Sequence, residues 1–224
     1  GFLVILDIAK KRCFKKLSFH SKVVISTSIV LIIAGTLLLK ATEDISWLGA
    51  FFQSVSARTA GFSTYAIGDF TNAGLFVLCV LMFIGASPGS TGGGIKTSTF
   101  FVLFQAARSA CVKKNVCAFR RSISRQNISK ASMITVLSMM VVCVATFLLC
   151  VLEPDRTFIQ VFFEVVSAFG TVGLSTGITP GLSVAAKIVI IFVMFIGRLG
   201  AFTLLTIWIS HPEPKIRYSE ENIA

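Results

Sequence analysis

The sequence predicts an all-α integral membrane protein built from repeated helix–short helix–helix units, with one spanning helix broken in its middle. Three observations carry this expectation. Only 14% of the residues are charged while 54% are hydrophobic, whereas soluble domains carry about 25% charged residues; a globule of this size could not hide so much apolar surface from water. Long apolar runs alternate with basic stretches, as membrane spans alternate with cytoplasmic loops. The order of runs, turns and glycine motifs then occurs twice.

The chain opens inside an apolar run, Gly1–Leu6, with no initiator Met and no signal-peptide pattern. Residues 1–9 are expected to be the tail of a helix that starts earlier in a longer protein. A basic loop follows over 10–22, carrying Lys10, Lys11, Arg12, Lys15, Lys16 and Lys22. Residues 23–39 are apolar; this is short against the usual span of about 20 residues, but Lys22 and Lys40 can snorkel at its ends. Glu43 and Asp44 form an acidic turn. Ile45–Ala57 is apolar yet too short to cross a core of about 30 Å as a helix, so it reads as re-entrant or interfacial.

Arg58–Thr64 lacks a helical pattern. Ala73–Ile84 is apolar, meets Gly85–Lys96, and resumes as Phe100–Ala107. Five glycines and one proline within residues 85–94 cannot hold an uninterrupted helix. Irregular backbone at membrane depth survives only if it is buried in protein or lines a wet cavity, which makes this segment a functional candidate.

The second basic loop covers 108–130, with Arg108, Lys113, Lys114, Arg120, Arg121, Arg125 and Lys130. Ala131–Leu152 is long enough to span. Glu153, Asp155 and Arg156 lie in the next turn, Thr157–Phe169 is the second short apolar segment, and Leu182–Ile209 is the last span, interrupted by Lys187 and Arg198. The predicted organisation is therefore a helix end (1–9), a basic loop (10–22), one unit (23–107), a second basic loop (108–130), a second unit (131–209) and a polar tail (210–224). Lys/Arg bias places the basic loops and the tail in the cytoplasm, so the short segments enter from outside.

The net charge of +11 would otherwise suggest nucleic-acid binding. Its confinement to loops between apolar spans argues against a nucleic-acid partner and for contact with membrane lipid. The six cysteines show no CxxC pair, so they read as small apolar residues rather than a disulfide framework or metal site.

The duplication is visible in the residues. Thr59-Ala-Gly-Phe-Ser-Thr64 matches Thr171-Val-Gly-Leu-Ser-Thr176 at an offset of 112, as Met82-Phe-Ile-Gly85 matches Met194-Phe-Ile-Gly197. Ser56-Ala57 matches Ser167-Ala168 at an offset of 111, so one residue is inserted between. A short helix handing over to an extended strand can aim backbone carbonyls at an axis, where they replace the water shell of a cation. Glycine tolerates the positive φ this requires, and Gly61 and Gly173 occupy that place. The candidate backbone ligands are Thr59, Ala60, Gly61 and Phe62 with Thr171, Val172, Gly173 and Leu174. No carboxylate lies within either motif, and carbonyl oxygens are hard ligands suited to alkali cations.

These peptides, with Gly85-Ala-Ser-Pro-Gly-Ser-Thr-Gly-Gly-Gly-Ile-Lys-Thr97 between them, resemble the third and fourth repeats of the Ktr/Trk/HKT potassium transporters, above all the membrane subunit of Ktr-type systems. The resemblance covers nearly the whole chain. It implies four repeats around a pseudo-fourfold pore in the plasma (inner) membrane. It also implies potassium uptake down its gradient, sodium as a candidate second ion, a homodimer of pores, and a cytosolic ring of nucleotide-binding regulatory subunits. It further implies that the Gly-rich loop gates the pore from within the membrane, through Gly85, Pro88, Gly89, Gly92, Gly93, Gly94 and Lys96, with Arg198 nearby.

Two roles stay open for Lys96: a positive charge opposing permeation, or a side chain snorkelling to the cytoplasmic face. Arg198 is expected to donate hydrogen bonds to the loop's carbonyls, since a charge deep in an apolar helix needs interior partners. Glu164 is a candidate brace of the second glycine strand. Arg58 could lie at the outer mouth or pair behind the first strand.

Other classes fit less well. A phosphate loop fails because Ile95 separates Gly94 from Lys96 and no strand precedes. An intramembrane hydrolase using Ser87 or Ser90 lacks a base, since His20 and His211 fall outside the spans; no enzyme is expected. A non-conducting membrane scaffold remains the alternative.

Overall fold

The computed structural model describes residues 2–11, 16–112, 116–119 and 121–200. The predicted tail (210–224), the last nine residues of the final span, His211, Cys13, Lys113, Lys114 and Arg120 lie outside the described residues. Among the described residues eight α-helices form: α1 (Phe2–Lys11), α2 (Phe19–Thr42), α3 (Trp47–Ser56), α4 (Asn72–Phe83), α5 (Thr97–Val112), α6 (Arg125–Leu152), α7 (Phe158–Gly170) and α8 (Val184–Leu199). Between α5 and α6 sits a small antiparallel hairpin, β1 (Cys117–Ala118) and β2 (Arg121–Ser122). This corrects the expectation of a purely helical chain.

The basic loops are shorter than predicted, because Lys/Arg are good helix formers and a hydroxyl cap lies early in each helix. Ser18 accepts from the Ser21 amide and starts α2 before Lys22. Ser124 accepts from the Asn127 amide and starts α6 at Arg125, before Lys130. α8 stops at Leu199, where Gly200 takes φ +86°.

α2 and α6 are long and apolar enough to cross a bilayer, and only 33% and 28% of their most apolar windows are buried. The core helix of a soluble protein would be mostly buried; here Val30, Ile33, Val144, Phe147 and Val151 stand open to the surroundings. α3 and α7, at 10 and 13 residues, extend about 15 and 20 Å, well short of a core of about 30 Å.

The duplication holds in three dimensions. The short helices begin on hydroxyl N-caps, Ser46 and Thr157, and the helices after the glycine motifs on Thr71 and Ser183. The C-cap glutamate of each long helix then holds its unit together. Glu43 Oε1 accepts from the Thr71 amide at 3.0 Å and hydroxyl at 2.6 Å. Glu153 Oε1 accepts from the Ser183 amide at 2.7 Å.

The core lies where α7 meets α4, α6 and α8. Phe163, Phe169, Met82, Leu78, Val142 and Leu149 are fully enclosed there, and Phe83 stacks on Phe169 with centroids 5.8 Å apart. α7 thus packs on α4 of the preceding unit. α3, first in chain order, leaves Trp47, Leu48 and Phe51 exposed.

Candidate cation site beneath two glycine strands

Each short helix ends in a strand with the same unusual backbone. φ is +73° at Thr59 and +79° at Gly61, and +49° at Thr171 and +96° at Gly173, while Ala60 and Val172 between them keep negative φ. A β-branched residue at positive φ is an outlier, costing about 1–3 kcal/mol. Here it occurs at the same threonine in both copies. Alternating the sign of φ turns successive carbonyls toward one side, so the strain has a geometric product. The carbonyls of Thr59, Ala60, Gly61, Thr171, Val172 and Gly173 accept no hydrogen bond from any described residue. Main-chain oxygens without donors are what a dehydrated cation replaces its water with.

The two strands lie against each other. Gly61 abuts the Val172 carbonyl, and Cα of Gly61 is 4.0 Å from where a Gly173 side chain would start. The side chains of Val172 and Leu174 turn into the core, while Phe62 is 71% exposed beside the uncovered α3.

Phe62 and Leu174 belong to the predicted ligand set, but their carbonyls are turned to the helices. Ser56 Oγ donates to the Phe62 carbonyl and accepts from the Phe62 amide at 2.8 Å. Ser167 Oγ donates to the Leu174 carbonyl at 2.6 Å. The open oxygens are therefore the first three of each strand.

A second pair of helix residues anchors the strands further along. Buried Gln53 donates Nε2–H to Ser63 Oγ at 2.6 Å. Its counterpart, Glu164, is 5% exposed and collects the Ser175 hydroxyl at 2.5 Å, the Thr176 amide at 3.1 Å and the Thr179 hydroxyl at 2.8 Å. Glu164 is thus a brace. These donors are what make a buried carboxylate tolerable. Sequence reasoning missed Ser56, Ser167 and Gln53; the signal for them was the offset of 111, which pairs 56 with 167 and 53 with 164. Arg58 turns behind its strand toward α2, donating to the Ser28 carbonyl at 3.4 Å and hydroxyl at 3.3 Å.

The broken helix forms as expected, between α4 and α5. Ile84 and Ile95 form a parallel bridge, with the Ile95 amide donating to Phe83 at 3.0 Å. The chain therefore leaves α4, makes a closed loop and resumes in its original direction. Gly85 sits against the Gly93 carbonyl with no room for a side chain, and Gly89 and Gly94 both take φ +72°.

The loop reaches both glycine strands. The Gly93 amide donates to Thr171 Oγ1 at 2.9 Å, and a side chain on Gly92 would start 2.6 Å from Thr59 Oγ1. Lys96 Nζ donates to the Gly92 carbonyl, tying the loop to its own start of α5; it does not snorkel away. Arg198 is within electrostatic reach of Lys96. It is exposed and forms no hydrogen bond to the loop's carbonyls among the described residues, contrary to expectation. The helix is ending there, and a C-terminal arginine complements the helix dipole without such contacts. Among the described residues no group of three or more His, Cys, Asp or Glu could hold a metal ion.

A family profile described as TrkH, cation transport protein, matches residues 8–219. The Ktr system potassium uptake protein B of Vibrio alginolyticus is 40% identical over 239 residues, covering 100% of this chain and 52% of that protein. The potassium/sodium uptake protein NtpJ of Enterococcus hirae is 36% identical over 241 residues, covering 100% and 53%. The crystal structure of the potassium transporter TrkH from Vibrio parahaemolyticus superposes with a TM-score of 0.66 at 25% identity, over 85% of this chain and 44% of that one. The chain spans about half the length of the curated relatives it matches.

Proposed function

The chain belongs to the TrkH family of cation transport proteins, a family of membrane transporters rather than enzymes, and from that premise we propose that it supplies two of the oxygen-lined strands of a potassium-conducting pore. The observation that carries the reading is the set of six carbonyls, without donors among the described residues, on two adjacent strands of alternating φ sign. A potassium ion entering between them sheds water and gains carbonyl oxygens, and no charged side chain is needed.

Conduction also needs the strands to be stiff. Ser56, Ser167, Gln53 and Glu164 pin the residues beyond each glycine, so the carbonyls keep their direction when the ion leaves. The short helices are re-entrant and stop at the site. The packing of α7 on α4 is one contact between successive units; the open face of α3 suits the same contact with another unit, as four repeats around one axis require.

Residues 85–96 act as the gate beneath these strands. Thr171 and Thr59 are the contacts between loop and strands, and the Lys96 ammonium brings a positive charge close to the ion path, which opposes a passing cation. Passage requires the loop to withdraw from the threonines. Sodium is the second candidate ion, since one relative is named for both. The basic stretches lie in the cytoplasm of a multi-pass plasma-membrane protein. A homodimer and a ring of cytosolic nucleotide-binding subunits complete the assembly.

The test is growth rescue of a bacterium deficient in potassium uptake by the full-length gene. Rescue is expected from the parent and not from Gly61→Ser or Gly173→Ser. Rescue unaffected by either change would overturn the assignment.

A further inference from the structure

α2, α5 and the β1–β2 hairpin line a pocket of about 560 Å³, and no residue of the two glycine strands or of the 85–96 loop is part of its wall. Its walls are Val30 and Leu31 on α2, Phe100 and Phe104 on α5, and Phe119 on the hairpin, with Arg108 at one end. Phe100 and Arg108 are eight residues apart on one helix, about 12 Å along its axis, so the pocket is long and its ends differ in chemistry.

The pocket is built, not left over. Phe119 takes φ +48°, a strained conformation for an aromatic residue. In that position its ring meets Phe101 at 6.4 Å and Phe19 at 6.3 Å. Gln105 Nε2 donates to the Cys117 carbonyl at 3.2 Å, tying the hairpin to α5. The strained turn thus holds a wall against two helices. Val30 and Phe104 remain 63% and 60% exposed, so large apolar surface faces the cavity mouth.

Arg108 is exposed and has no ion pair among the described residues, and no Asp or Glu lines the pocket. Ala118 in the pocket wall pairs with Arg121 across the hairpin, so a second basic residue lies on the same wall. An apolar slot closed by a guanidinium fits an amphiphile with an anionic head. A guanidinium binds phosphate by paired hydrogen bonds, and basic pockets between spanning helices hold anionic lipid headgroups.

We propose that this pocket binds one anionic phospholipid of the surrounding bilayer, with its phosphate at Arg108 and an acyl chain among Val30, Leu31, Phe100 and Phe104. The site stands on the membrane placement of α2 and α5 and is independent of the ion path. α5 starts next to Lys96, so an occupant braces the helix that follows the gate loop.

The test uses the full-length protein carrying Phe104→Trp in nanodiscs of defined lipid. Its fluorescence is compared, after subtraction of the parent signal, with brominated phosphatidylglycerol and with brominated phosphatidylcholine. Phosphatidylglycerol is expected to quench at lower mole fraction. Adding Arg108→Gln should reduce that preference about five-fold, the share of one basic residue at the surface, whereas Arg125→Gln, outside the pocket, leaves it intact. Equal quenching by both lipids, or a preference that survives Arg108→Gln, would overturn the proposal. Quenching by neither lipid would mean that protein covers the pocket, which also overturns it.

Discussion

Gly61 is seated against the Val172 carbonyl with no room between them for a methyl group, whereas a methyl on Gly173 meets nothing closer than 4.0 Å. Both glycines have positive φ, so alanine strains either by about 1–3 kcal/mol, but only Gly61→Ala must also displace the neighbouring strand. Gly61→Ala is therefore expected to lower the yield of folded protein on size-exclusion chromatography well below that of Gly173→Ala. Equal yields would contradict the close approach of the two strands.

Glu164 accepts from the Ser175 hydroxyl, the Thr176 amide and the Thr179 hydroxyl while almost fully buried. Removing it takes the shared charged acceptor from three half-buried groups, a loss of about 1–3 kcal/mol. Glu164→Ala should lower the thermal midpoint of the purified protein more than Gln53→Ala, since Gln53 makes one such bond. Thermal unfolding in detergent measures the difference.

The Ser183 amide, lying on its carboxyl, holds Glu153 below the usual carboxylate range. A lowered folded value means stability that is present above the unfolded value and is lost as pH falls through the folded one. Glu153→Gln is accordingly expected to melt below the parent at neutral pH. The two curves should converge in acid, below the usual carboxylate range. A difference that persists there would show that the loss is not electrostatic. Glu43, holding Thr71, serves as the second instance of the same cap.

Lys96 ties the loop to itself through the Gly92 carbonyl. Lys96→Met keeps much of the apolar stem and removes both the tie and the charge. Faster potassium uptake into cells is expected from the variant if the loop is the gate, with protein levels unchanged. Uptake at the parent rate would remove Lys96 from the gating account.

Much of this was legible because the chain repeats itself. The membrane class followed from composition, and the broken helix from five glycines that no span could absorb. The strands were legible from Thr-x-Gly occurring twice. What escaped was the direction of individual groups. Phe62 and Leu174 belong to the expected ligand set, and their carbonyls accept from Ser56 and Ser167; a pattern of residue types does not say which way a peptide plane turns. Arg58 was ambiguous for the same reason, its partner Ser28 lying 30 residues away. The early starts of α2 and α6 were hidden because lysines and arginines mark a cytoplasmic face and a helix equally well.

The most direct test of the central claim is the ratio of potassium to sodium flux through liposomes containing the purified full-length protein with Gly173→Ala. The folded protein should persist, because that position has space, while the strained carbonyls lose their alignment and the ratio falls toward one. A ratio equal to that of the parent would contradict the assignment of these strands as the ion's ligands.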